Sequence, residues 1–67
     1  MIQIYPDPKN DKYWIVEYDF FDIPTNWGNG KKTFVSWQAA ISYSRRIMVH
    51  YQILRRMRKI SNFINRN

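Results

Sequence analysis

Basic side chains without acidic neighbours are the residues of this sequence best suited to do chemistry. The run Arg55-Arg56-Met57-Arg58-Lys59 places four positive charges in five positions, and Arg45 and Arg46 precede it by about two to three helical turns. Guanidinium and ammonium groups bind phosphate through charge and hydrogen bonds, so such a cluster is typical of a nucleic-acid-binding surface. The same charges could also meet an acidic protein surface.

The charges are distributed unequally along the 67 residues. All five acidic residues lie within the first 22 positions, where two lysines leave a net charge of −3. The remainder holds nine basic residues and no Asp or Glu, which gives +9. This asymmetry favours an anionic partner over charges that only keep the protein in solution. We predict a surface that binds DNA or RNA, made of Arg45, Arg46, Arg55, Arg56, Arg58 and Lys59, with Lys31 and Lys32 adding to it.

Residues that could support catalysis or metal binding are scarce. The chain has no cysteine and a single histidine, His50, so thiolate and imidazole metal sites are not expected. The serines lack the context of a nucleophile elbow, and a hairpin turn explains Gly28-Asn29-Gly30. Glu17 and Asp19 could be neighbours on one strand face, but so small a domain offers little cleft to raise a carboxyl pKa. We predict no enzymatic activity, no metal and no cofactor.

Trp27 lies between Asn26 and Gly28 in a segment rich in turn-forming residues. An indole at a loop tip can stack on a base or anchor in the pocket of a partner protein. Alternatively, the same side chain folds back over a small core, because exposure of a large aromatic ring is unfavourable. Both interpretations stay open from the sequence.

Three short strands and one long helix are predicted to position these residues. Alternate residues from Trp14 to Phe20 form an aromatic and aliphatic face that should meet the core, whereas Ile15, Glu17 and Asp19 take the other face, where the two carboxylates should meet water or a basic neighbour. Turn-forming residues separate the strands. The predicted strands are Met1 to Tyr5, Tyr13 to Phe20 and Lys31 to Val35.

The helix is expected to begin after Ser36, a suitable N-cap, because no Gly or Pro follows as far as the C-terminus. One apolar stripe should lie against the sheet: Trp37, Ala40, Ile41, Ser44, Met48 and Tyr51. Together with the strand pattern, this stripe predicts a core that includes Trp14, Phe20, Phe34, Trp37 and Ile41.

A second apolar stripe, made of Ile53, Met57, Ile60 and Ile64, follows on roughly the opposite side of the helix. Three short strands cannot cover a helix of nearly thirty residues. Either the helix breaks near His50 and packs back, or its end projects and buries the second stripe against another chain. We predict a homodimer or partner interface that comprises Ile53, Met57, Ile60, Ile64 and Trp27.

The corner Thr33-Phe34-Val35-Ser36, leading into Ala39-Ala40 and Tyr43, resembles the strand-to-helix corner of plant AP2-type and integrase arm-type DNA-binding domains. The resemblance covers about a dozen residues and implies three strands followed by a helix. Those domains read the DNA major groove with the sheet, whereas the best strand here carries Glu17 and Asp19 in place of arginine. The resemblance therefore implies the topology and not DNA reading by the sheet.

The sequence thus predicts one small α+β domain over residues 1–67, β-rich over 1–35 and helical over 36–65, with a three-stranded antiparallel sheet. No secretory signal or apolar run of membrane-spanning length is visible, so we expect no integral membrane association and a cytoplasmic location, or the host cytoplasm for a phage protein. The predicted function is a non-enzymatic, dimeric nucleic-acid-binding module. The alternative is a small phage-type inhibitor or adaptor that grips a host protein through its C-terminal helix and Trp27.

Overall fold

Three antiparallel strands followed by one long helix make up the fold, which confirms the predicted α+β class. The computed structural model describes residues 1–23 and 25–65, with the side chains of the helix described as far as Met57. The elements are β1 (Ile2–Asp7), β2 (Asn10–Asp19), β3 (Asn29–Phe34) and α1 (Trp37–Asn65).

The sheet has the strand order β1-β2-β3, so β2 lies in the centre. Its first two strands extend further than predicted, because the turn between them needs only Pro8 and Lys9. The Asp7 carboxylate stabilises this turn by accepting a hydrogen bond of 2.9 Å from the Lys9 amide. Pro6 is tolerated within β1 because that strand is an edge, where a missing amide donor leaves no central ladder bond unmade.

The connection from β2 to β3 contains a short 3-10 helix, Asn26–Gly28. Its backbone is tied to the sheet because the Phe20 amide donates to the Gly28 carbonyl at 2.7 Å. A β-carbon at Gly28 would lie 2.6 Å from the Cβ of Ile23, so only glycine lets the two segments approach this closely. The connection is therefore packed onto the domain and does not loop away from it.

Helix α1 begins as predicted and runs without interruption. The Ser36 hydroxyl accepts a hydrogen bond of 3.1 Å from the Ala39 amide, which is the geometry of an N-cap. The predicted possibility of a break near His50 is wrong, because α1 is continuous from Trp37 to Asn65. At about 1.5 Å per residue, its 29 residues extend roughly 43 Å, far beyond the width of three strands.

The main core lies between one face of the sheet and the first half of α1. Phe20 stacks on Tyr51 with ring centroids 4.0 Å apart, which joins the end of β2 to the middle of the helix. Tyr43 and Leu54 pack around this contact from the helix side. The buried members of this core are Val16, Phe20, Ile23, Ala40 and Ile47.

The helix face that packs on the sheet differs by about one residue from the predicted one. Ile47 is 6% exposed, whereas Met48, a member of the predicted sheet-facing stripe, is 45% exposed. The sheet-facing stripe is Ala40, Tyr43, Ile47, Tyr51 and Leu54. Its spacing of three and four residues is as regular as that of the predicted stripe, so periodicity alone could not separate the two.

Two further core predictions need correction. Trp37 is 47% exposed although its ring centroid lies 4.8 Å from that of Trp14 on the central strand β2, because it occupies the first turn of α1. Ile15 lies on the sheet face away from the helix and is nevertheless only 4% exposed. It is the central residue of a cross-strand row, between Tyr5 on β1 and Thr33 on β3.

Candidate nucleic-acid interface

The side of α1 that points away from the sheet carries exposed arginines. Arg45, Arg46 and Arg56 are exposed, and none of them forms a salt bridge within the described part of the chain. Arg45 and Arg56 are eleven residues apart, which is about three turns, so they lie on the same side of the helix. We call the surface formed by Arg45, Arg46, Val49, Ile53 and Arg56 the outer helix face.

The Arg55 side chain packs against the domain and does not belong to the outer helix face. Its Nε lies 3.7 Å from the Asp22 carboxylate, and its guanidinium lies 5.5 Å from the centroid of the Tyr51 ring. The Tyr51 hydroxyl donates to both oxygens of the same carboxylate, at 2.9 and 2.8 Å. That hydrogen bond is the main reason why the pKa of Tyr51 is raised, and the charge of Arg55 opposes the shift. Part of the Arg55 charge is thus neutralised internally.

The two lysines of β3 lie on opposite faces of the sheet, away from the outer helix face. Lys31 is opposite Glu17 in the register of β2 and β3, so a carboxylate is its cross-strand neighbour. Lys32 lies on the helix side, with its ammonium 5.2 Å from the centroid of the Tyr43 ring. Neither lysine is brought together with the arginines of α1.

The Glu17 carboxylate contacts a tyrosine instead of a second carboxylate. The Tyr5 hydroxyl donates to Glu17 at 2.9 Å, and this hydrogen bond is the largest cause of a raised pKa for Tyr5. The pairing of Glu17 with Asp19, considered as an acid/base pair in the sequence, is absent from the hydrogen bonds of the described residues. In the same part of the chain, no three His, Cys, Asp or Glu side chains cluster as a metal site would require.

The predicted second apolar stripe begins where the sheet ends. Leu54 is the last described helix residue that packs against the core, and Ile53 and Met57 are at least half exposed. Val49, one turn earlier, is exposed to a similar degree. The other predicted site residues of this region, Arg58, Lys59, Ile60 and Ile64, have side chains outside the described part of the chain.

Trp27 is displayed on the surface with 64% of its side chain exposed. Its amide donates to the Thr25 hydroxyl at 3.3 Å, and its carbonyl is 3.1 Å from His50 Nε2. Because a carbonyl can only accept, Nε2 of His50 carries the proton in this contact. The interpretation of Trp27 as a cap over the core is therefore wrong, and the residue is held beside α1 with its indole accessible.

An apolar groove was missed by the sequence analysis. It encloses about 630 Å³ between the start of β1 and helix α1, and Met1, Phe21 and Met48 contribute exposed side chains to its walls. The pair Phe20-Phe21 directly after β2 was an available signal, because the side chains of adjacent residues diverge and Phe21 stays exposed when Phe20 enters the core.

Within the described residues, no helix combines the length and the apolar character that a bilayer crossing requires. The chain was also compared with family models, curated proteins and solved structures, and it matches none of them.

Proposed function

We propose that this protein is a non-enzymatic nucleic-acid-binding module that contacts phosphates through the outer helix face. The observation that carries the proposal is the exposure of Arg45, Arg46 and Arg56 on a helix that contains no acidic residue. Each of these guanidinium groups is free to replace a counterion on a phosphate backbone, which is the main source of affinity in sequence-independent binding.

The distribution of the acids supports the same surface. Asp22 neutralises part of the Arg55 charge, and Glu17 lies opposite Lys31, so these two basic residues have carboxylate neighbours. Arg45 and Arg56 have none within the described part of the chain. These uncompensated charges would attract an anionic strand to the outer helix face and orient the module as it approaches.

The salt dependence of binding tests this proposal. Arg45→Ala/Arg56→Ala should lower the slope of log K against log salt by about 1.4 to 1.8 for DNA, since each phosphate contact accounts for about 0.7 on single strands and 0.9 on duplex. Alanine preserves the helix, so α1 should remain intact. Fluorescence anisotropy with labelled single-stranded and duplex oligonucleotides of DNA and RNA measures the slopes.

The matched control is Lys9→Ala/Lys12→Ala in the hairpin between β1 and β2. It removes the same charge from two exposed positions far from the outer helix face along the chain. If both double variants change the slope equally, net charge alone governs binding and the assigned surface is wrong. If the wild-type protein binds no nucleic acid at low salt, the proposed function itself is wrong.

Protein binding is the second candidate function, favoured by the exposed apolar side chains of Trp27, Val49, Ile53 and Met57. A small inhibitor or adaptor would insert these side chains into a host protein while its arginines met an acidic surface. Capture of a single protein in stoichiometric amount, unchanged by nuclease treatment, would favour this role. Loss of all captured material after nuclease treatment would favour the nucleic-acid role.

A further inference from the structure

We infer that the preferred ligand is an unpaired strand, with one base stacked on Trp27 and the adjoining phosphate bound by Arg46. This inference rests on the proposed function and specifies its substrate class. It starts from the backbone around Trp27, which is held from three directions although the indole is free.

The first restraint is local: the Trp27 amide donates to the Thr25 hydroxyl, and the Gly28 amide donates to the Thr25 carbonyl at 3.0 Å. The second joins the turn to β2, through the bond from the Phe20 amide to the Gly28 carbonyl. The third joins it to α1, through His50 and the Trp27 carbonyl. A ring carried on so restrained a backbone loses little conformational entropy when a ligand contacts it.

The contact with His50 also determines which helix residues are near Trp27. Arg46 precedes His50 by four residues, so the two side chains leave the same side of α1 with Cβ atoms about 5–6 Å apart. Arg46 is exposed and forms no salt bridge within the described residues. The turn that displays the indole is therefore next to an available guanidinium group.

An aromatic ring and a cation in this arrangement favour a single strand over a duplex. A duplex buries the faces of its bases in its own stack and offers only phosphates and base edges to a protein. An unpaired strand offers base faces, and stacking on an aromatic side chain is the usual way in which proteins hold them. Phosphates alone would need only the arginines, whereas an exposed indole beside them adds a surface on which an unpaired base can stack.

The test compares one oligonucleotide with its own duplex at constant salt, by anisotropy and by quenching of tryptophan fluorescence. The wild-type protein should bind the single strand more tightly than the duplex. Trp27→Ala should weaken single-strand binding about 5- to 150-fold and leave duplex binding unchanged. The control is Phe21→Ala, which removes another exposed aromatic ring from the same connection but at the apolar groove, and it should leave both affinities unchanged.

Trp27→Phe is the second variant, because it keeps an aromatic face in case Trp27→Ala disturbs the turn. It should retain most of the single-strand preference. Equal wild-type affinity for the two forms, or single-strand binding unaffected by Trp27→Ala, would overturn the inference while salt-dependent binding upheld the proposed function. Failure to bind either form would overturn both.

Discussion

Asp22 determines which of two adjacent arginines on α1 is paired within the domain. Its carboxylate accepts from Tyr51 and pairs with Arg55, so it fixes two helix residues against the connection that follows β2. Arg56, the next residue along, points to a different side of the helix and stays exposed. Arg55 and Arg56 look equivalent in the sequence. The contact that distinguishes them joins Asp22 to a residue 33 positions later, and no local pattern predicts it.

Tyr51 leads to a prediction about alkaline pH. Its pKa is raised above the ordinary value of 10.0, first by the hydrogen bond that it donates to Asp22 and then by burial. The folded state therefore holds the phenol proton more tightly, and this stabilisation is complete below the unfolded pKa and lost as the pH rises through the folded pKa. Urea midpoints measured between about pH 8 and pH 11 should fall most steeply above about pH 10.

Two variants separate Tyr51 from the other tyrosines. In Tyr51→Phe, the urea midpoint should decrease less steeply at alkaline pH than in the wild type. Some decrease should remain, because Tyr5 and Tyr43 also have raised pKa values. Tyr13→Phe is the matched control, because it removes the hydroxyl of an exposed tyrosine that makes no hydrogen bond among the described residues. An identical profile for wild type and Tyr51→Phe would contradict the role given to the contact with Asp22.

For helix α1, the sequence predicted where the helix begins but not which of its sides faces the sheet. Its start at Ser36 was predictable, because capping depends on neighbouring residues. Its sheet-facing side was predicted one residue away from the true one, with Met48 in place of Ile47. Both stripes have helical spacing, and which of them is buried depends on where Phe20 and Ile23 lie to pack against the helix. That position is set by the connection between the strands, which no local pattern reveals.

The observed orientation of α1 on the sheet predicts which of its residues contribute to stability. Ile47→Ala should lower the free energy of unfolding by about 2–5 kcal/mol, because it removes a buried branched side chain and leaves a cavity. Val49→Ala, two residues along and about half exposed, should change it by no more than about 0.5 kcal/mol. Urea unfolding followed by helical ellipticity measures both, and equal losses would show that the helix is rotated differently.

At the scale of the whole molecule, the fold is elongated, with extents of 52 × 18 × 13 Å. The sheet packs on the first half of α1, and Ile53 and Met57, the described members of the second apolar stripe, are at least half exposed. We propose that a second copy covers this stripe around Met57. The arginines and lysines on either side of Met57 would repel each other in such a dimer, so salt should strengthen association while it weakens nucleic-acid binding.

Light scattering during size exclusion, at low and high salt, tests this assembly. The wild-type mass should move from monomer towards dimer as salt rises, and Met57→Asp should remain monomeric under both conditions because a buried carboxylate is unfavourable. Met48→Asp is the matched control: it changes the same residue type at a similar exposure, on the groove side of the helix. A wild type that stays monomeric at high salt and high concentration would contradict the proposed dimer.

The contact between Trp14 and Trp37 has an optical consequence. Their indole rings are 4.8 Å apart and inclined by 66°, so their electronic transitions couple and should produce a pair of circular dichroism bands of opposite sign. These bands overlap the region used to measure helix, so ellipticity will misstate the helix content of this small protein. The same couplet offers a spectroscopic marker for the attachment of the first turn of α1 to β2, and it should vanish in Trp14→Phe.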